Sequence, residues 1–164
     1  MVLSRELLAL GDQVGAGLRA RQETVAVAES AAGGLIAAAL LAVPGASTYF
    51  RGGAVVYTAY ARAGFLRLPA TLTDLRPDTE PYAILLARTV REALESTWGI
   101  GETGAAGPTG SRYGDPPGHV CFAVAGPAEQ AATLRTGADD RVANMEAFAA
   151  GALRLLLGAL TAQR

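Results

Sequence analysis

The chain has 164 residues, the size of one domain with interior enough for a single sizeable core. Apolar residues make up 51% of it and charged residues 18%, which excludes a disordered or solvating segment. Its basic residues are all arginine and offset the acids to a formal charge of −1, with an isoelectric point near 5.8, which argues against a protein that reads nucleic-acid phosphates over a broad basic face. One cysteine, Cys121, and one histidine, His119, exclude an internal disulfide and the usual Cys/His zinc sites; the acids are scattered, so no metal is expected. Arg5 and Glu6 near the start and the lack of a long apolar run there predict no signal peptide. The apolar run Leu35–Val43 is too short to span a bilayer, so no membrane partner is expected. The expectation is a reduced, cytoplasmic α/β protein, a single domain over residues 1–164 with no internal repeat or linker.

In chain order, Leu7, Leu10, Val14 and Leu18 recur at helical spacing behind Ser4, a good N-cap, and predict a helix over about 4–21. Thr24–Ala28 is a β-rich run that ends in Glu29-Ser30-Ala31-Ala32-Gly33-Gly34. Residues 35–42 then form a buried helix stopped by Pro44-Gly45. Gly52–Thr58 predicts a second buried strand and Ala59–Leu68 a short helix. Asp78 or Thr79 caps a long helix from near Pro81, with Tyr82, Leu86, Val90 and Leu94 on one face and Trp98 closing it as a packing residue. Gly99–Thr103 is a third strand leading into the loop Gly104–Gly118. His119–Ala125 and Ala131–Thr136 form a hairpin around Gly126-Pro127. Arg141 opens a last helix with Met145, Ala149, Ala152, Leu156 and Leu160 on its apolar stripe. Alternating strands and helices followed by a hairpin predict a three-layer α/β/α sandwich with a mixed sheet.

Ligands of open α/β sheets gather where strand carboxyl ends lead into helices. Two glycine-rich loops fit, Ser30–Gly34 and Gly104–Gly110. The first opens a helix, whose free N–H groups and positive dipole end suit a phosphate or an oxyanion. Ser30 is readable there as an N-cap or as a functional hydroxyl, and Gly33-Gly34 as close helix–sheet packing. No dinucleotide fingerprint, P-loop or nucleophile elbow is present. His119 is the one imidazole a catalytic triad has to draw on, and in a strand it reads as structural. Cys121 reads as a buried, inert thiol. The residues by themselves indicate a small anionic ligand held between two loops.

Four segments in order carry a resemblance: A-E-S-A-A-G-G-L-I-A (28–37), V-P-G-A-S-T-Y-F-R-G-G-A-V-V-Y-T (43–58), T-G-A-A-G-P-T-G (103–110) and G-H-V-C-F-A-V-A-G (118–126). Together they resemble the CinA C-terminal domain family, the PncC-type nicotinamide-nucleotide amidases, in its stand-alone form. The resemblance implies a three-layer α/β/α fold, often dimeric. It also implies cofactor-free hydrolysis of the carboxamide of nicotinamide mononucleotide to nicotinate mononucleotide and ammonia. It assigns the nucleophile to Ser30, a positioning role to Thr103, a place beside the site to Tyr57, and phosphate contact to Arg141, whose planar fork binds phosphate oxygens bidentately. The backbone of Ala31, Ala32, Gly33 and Gly34 would supply oxyanion or phosphate donors, with Glu29, Gly104 and Gly107 also lining the substrate.

The chain departs from the family pattern at the same site. Members usually carry Y-S-N-E-A-K after the second strand, where this chain has Tyr57-Thr58-Ala59-Tyr60-Ala61-Arg62. Arg62 thus replaces the lysine suited to deprotonate the serine. A guanidinium stays protonated, so Arg62 is able to stabilise negative charge and unable to take that proton. Ala31 and Ala32 stand for the usual Cys and Thr, and Met145 for a second basic residue. These departures leave two expectations: an amidase whose base is Glu29, a water or His119, or a nucleotide-binding or sensor domain that has lost turnover. A shifted substrate, admitted by Ala59 and Tyr60, is a third.

Overall fold

The computed structural model describes residues 3–69 and 74–162. Helix α1 (Arg5–Arg21) starts where the Ser4 Oγ accepts the Leu7 N–H at 3.3 Å, and it ends at Gln22 in the left-handed conformation. It buries Leu7, Leu10, Val14 and Leu18, as the spacing predicts. Strand β1 (Val25–Glu29) leads through a tight turn into α2 (Leu35–Leu41). A single 3₁₀ turn (Ala46–Thr48) precedes β2 (Phe50–Val55), and α3 (Ala59–Leu66) follows, capped by the Thr58 hydroxyl. Thr79 caps α4 (Glu80–Ala93), its Oγ1 accepting the Tyr82 N–H at 3.4 Å. Strands β3 (Trp98–Ala105), β4 (His119–Ala125) and β5 (Gln130–Arg135) and helix α5 (Arg141–Ala162) complete the chain.

The sheet order is β2-β1-β3-β4-β5, parallel among the first three strands and antiparallel from β3 to β5. The expected mixed α/β/α sandwich is therefore observed. Side chains alternate across the sheet. Val25, Val27, Ile100, Val120, Phe122 and Val124 pack with α1, α2 and α5. Ala26 and Ala28 face the other way, toward Leu66 of α3 and Tyr82, Leu86 and Val90 of α4. Helix α5 is, by length and apolar composition, of the kind that spans a bilayer. Here Phe148, Ala152, Leu153, Leu156 and Leu160 are sealed inside the main core, so it is a core helix.

Some local expectations are corrected. The second strand is not buried: β2 lies at the sheet edge and alternates between half-buried and exposed residues, because only one of its sides has a partner strand. Ser30 is not a helix cap, since α2 begins five residues later with Gly34 in the cap position and no side-chain cap. Trp98 does not close α4 but opens β3, fully buried, its Nε1 donating to Glu23 Oε2 at 2.6 Å. Leu94 falls outside α4 and is partly exposed. Asp78, the alternative cap, is engaged elsewhere.

Two buried carboxylates shape the β1–α2 turn. Glu102, on β3 and without solvent exposure, accepts the N–H of Ser30 at 2.8 Å and of Ala32 at 2.9 Å through Oε2, and the Ala31 amide also faces it. Glu29 accepts the Ala37 N–H at 3.2 Å, with the Ile36 and Gly34 amides turned to the same carboxyl. Burial dominates both acids, and their mutual repulsion adds to it at Glu29. It pushes Glu29 up to about 8 and Glu102 to about 7, against the opposing pull of the amides.

Two outcomes follow from this packing. Gly101 sits so close under α4 that a Cβ there falls on the Ala83 carbonyl oxygen. Gly101→Ala is expected to cost about 1–3 kcal/mol of overpacking, read as a lower urea midpoint. Both glutamates keep their protons in the folded chain at pH values where the unfolded chain, near 4.5, has released them. The folded state then binds more protons, so stability falls as pH rises from about 4.5 to about 8. Glu102→Gln has no such proton to lose, and its urea midpoint is expected to vary less than the parent's up to about pH 7.

Candidate active site

The carboxyl ends of β1 and β3 open into a cleft of about 910 Å³. Seven of the residues singled out from the sequence line it: Ser30, Tyr57, Arg62, Thr103, Gly104, Gly107 and Arg141. They come from four separate stretches of chain, gathered because β1 and β3 are neighbours and α5 begins beside both loops. The other five, Glu29, Ala31, Ala32, Gly33 and Gly34, lie outside the lining. Alternation places Glu29 and Glu102 on the α2 side of the sheet while Ser30 and Thr103 face the cleft.

This bears on the donors expected from the turn. The Ala32 amide is bonded to Glu102, the Gly33 amide to the Ser30 carbonyl at 3.0 Å, and the amides of Ala31 and Gly34 face the two buried carboxyls. The start of α2 is thus spent on the protein's own acids, not turned to the cleft. Glu29 and His119, the bases weighed from sequence, are also turned away. His119 Nε2 donates to the Asp78 carbonyl at 2.9 Å, and its Nδ1 accepts from Arg135 Nε at 3.3 Å. Cys121 is buried, and burial raises its thiol, as suits an inert side chain.

Positive charge is concentrated in the cleft wall. Arg62, Arg76, Arg112 and Arg141 all line it, and Asp78 is the one carboxylate that does so among the described residues. Arg76 is held by Asp115 in a two-pronged pair at 2.6 and 3.2 Å. Arg141 donates to the Gly107 carbonyl at 2.6 Å and to the Tyr57 hydroxyl at 3.1 Å, which ties the start of α5 to both rims of the cleft. Arg62 lies 5.9 Å from the Tyr82 ring centroid. Its buried Nε and the buried Tyr82 hydroxyl have no hydrogen-bond partner among the described residues. A guanidinium stacked and half-buried in this way is ready for an anionic oxygen.

Two acids central to this region escaped the sequence reading. Asp78 accepts the Thr103 hydroxyl through Oδ1 at 2.7 Å, and its N–H donates to Thr103 Oγ1 at 3.2 Å. It is 7% exposed, and burial holds its carboxyl above the ordinary range against the Thr103 bond. In sequence it was one of two adjacent cap candidates. Glu102 left one signal: a lone carboxylate in Gly99-Ile100-Gly101-Glu102-Thr103, inside a buried strand, has to meet donors from elsewhere.

Comparison with known proteins bears on the family and the fold. The family model described as the CinA C-terminal domain matches residues 8–160. A CinA-like protein of Anaeromyxobacter dehalogenans is 43% identical over 152 residues, covering 90% of this chain and 37% of its own length. A CinA-like protein of Salinibacter ruber is 40% identical over 141 residues, covering 85% and 34%. The chain spans about a third of the length of these curated relatives. Among solved structures, the competence/damage-inducible protein CihA of Agrobacterium tumefaciens superposes with a TM-score of 0.88 at 27% identity, covering 98% of this chain and 99% of that one. A CinA superfamily protein of Escherichia coli gives 0.85 at 26% identity, covering 96% and 92%. The match over residues 8–160 and the relatives at 40–43% identity lead to one conclusion: the chain belongs to the CinA C-terminal domain family.

Proposed function

We propose that this protein is an amidohydrolase that cleaves the carboxamide of nicotinamide mononucleotide, releasing ammonia and nicotinate mononucleotide, with Ser30 as nucleophile. The observation that carries the reading is a serine at the carboxyl end of a parallel strand, inside a cleft lined, among the described residues, by four arginines and a single carboxylate. Such a wall attracts an anionic, nucleotide-sized ligand to a nucleophile. In this reading Ser30 Oγ attacks the carboxamide carbon and the carbonyl electron pair moves onto oxygen. The C–N bond then breaks to release ammonia, and water hydrolyses the Ser30 ester.

The loop amides are occupied, so the developing oxyanion falls to Arg62, whose unpartnered Nε sits in the same wall. Arg141 takes the phosphate, and Tyr57 steadies Arg141 through its hydroxyl. Thr103 and the Gly104–Gly107 backbone shape the nicotinamide end. The proposal extends to a cytoplasmic homodimer that uses no cofactor, as the family resemblance implies. A second reading, nucleotide binding without turnover, is favoured by the presence of Arg62 where a lysine base is usual.

The test is ammonia and nicotinate mononucleotide production from nicotinamide mononucleotide. Ser30→Ala is expected to abolish product while calorimetry still shows nucleotide binding. Arg141→Ala, losing charge-assisted bonds of about 1.5–3 kcal/mol, is expected to raise KM by about 10- to 100-fold with kcat little changed. Arg62→Gln is expected to lower kcat by about 10²–10³-fold. Binding without product in the parent protein would leave the second reading in place of the first.

A further inference from the structure

A serine nucleophile needs somewhere to send its proton, and the side chains expected to take it are turned elsewhere. The Glu29 carboxyl faces α2, the two nitrogens of His119 are bonded, and Arg62 cannot accept. The cleft holds one further group. β1 and β3 run parallel with Ala28 opposite Gly101. Ser30 lies just past the end of β1 and Thr103 near the end of β3, each two residues beyond the last paired positions. Ala28 faces the α3–α4 layer, and a Cβ on Gly101 would point into α4. Thr103 shares that face by the same alternation, and Ser30, one residue past β1, lines the cleft with it.

Thr103 is already wired for transfer. A hydroxyl has one proton and two lone pairs. Its proton points to Asp78 Oδ1 at 2.7 Å, and one lone pair accepts the Asp78 N–H at 3.2 Å. The second lone pair remains for a further donor in the cleft that Thr103 and Ser30 both line. Asp78 itself is pinned: its carbonyl is gripped by His119 Nε2 and, at 3.5 Å, by the Cys121 thiol, and its backbone is held at φ 61°.

We propose that Asp78 is the proton acceptor for Ser30, acting through the Thr103 hydroxyl. The inference rests on the reading of Ser30 as nucleophile. As the Ser30 oxygen bonds to the carbonyl carbon, its proton passes to Thr103 Oγ1 and the Thr103 proton passes to Asp78 Oδ1. When the C–N bond breaks, the same proton returns along the pair to the leaving nitrogen and completes ammonia. The charges around Asp78 tune it. Asp115 in the loop after β3 raises it, His119 on β4 and Arg76 before α4 lower it, and burial is the largest influence, upward. Glu102 on β3, beyond the sheet plane, and Glu80 at the start of α4 lie in the same neighbourhood. A carboxyl raised above its ordinary range is a better match for a hydroxyl proton than a free aspartate.

The experiment separates this step from substrate choice by using p-nitrophenyl acetate, an activated ester that needs no acid for its leaving group. Mass spectrometry locates the acetyl group, and the acylation rate is followed against pH. The parent is expected to acetylate Ser30 at a rate that climbs with pH through one ionisation above the normal carboxylate range. Asp78→Asn keeps the acceptor oxygen for Thr103 and tolerates a positive φ. It is expected to acylate about 10²–10⁴-fold more slowly and to lose that climb. Thr103→Val is expected to behave alike, and Thr103→Ser to recover most of the rate. Acylation of the Asp78→Asn protein at the parent rate with the parent pH profile would overturn the role of Asp78 and leave Ser30 in place. If Asp78→Asn shows no cooperative melting, Thr103→Val decides by the same criterion. A parent protein that is never acetylated at Ser30 overturns the nucleophile assignment, and the relay with it.

Discussion

Most amides of residues 30–37 are bound by carboxyls of the protein itself, and much of the site follows from that. Glu102 takes those at the turn after β1, and Glu29 takes those at the start of α2. A buried carboxyl without donors is costly, and a short turn with free amides is loose; each relieves the other. The turn that carries Ser30 is therefore held from behind, from a strand more than seventy residues later. The same bonds remove the amides from the ligand's side, so negative charge in the cleft has to be met by arginine side chains.

Strand alternation divides the sheet between these duties. One face carries Glu29 and Glu102 into the helix-covered core, and the other carries Ser30 and Thr103 into the cleft. Gly99 and Gly101 leave room for α4 to lie directly on β3, where any side chain would strike the helix backbone. That close seating brings the residues just before α4, Arg76 and Asp78, over the end of β3. Asp78 and Thr103 meet for that reason.

The charge pattern of the cleft contrasts with the near-neutral chain. Arg76 and Arg141 are tied to loop atoms and brace the walls, while Arg62 rests on Tyr82 with a donor left over. A guanidinium in the lysine position changes what the site is able to do. It holds negative charge firmly and cannot shuttle a proton, so charge stabilisation and proton transfer fall to different residues.

From sequence, the amphipathic spacings, glycine turns and caps located the helices and strands to within a few residues, because those signals are local. The ordered motifs, with the arginine that opens the last helix, also pointed Ser30, Tyr57, Thr103 and Arg141 to one cleft, because loops at strand carboxyl ends converge in a parallel sheet. The place of β2 at the sheet edge, the use of the turn amides by Glu102, and the bond between Asp78 and Thr103 were not legible. Each depends on which strand lies beside which and on how closely α4 approaches β3. Asp78 reads as a helix cap until Thr103 is seen beside it, and Glu102 reads as a misplaced charge until the Ser30 turn closes over it. Only the folded chain decides such pairings, because hydrogen-bond partners far apart in sequence are chosen by packing.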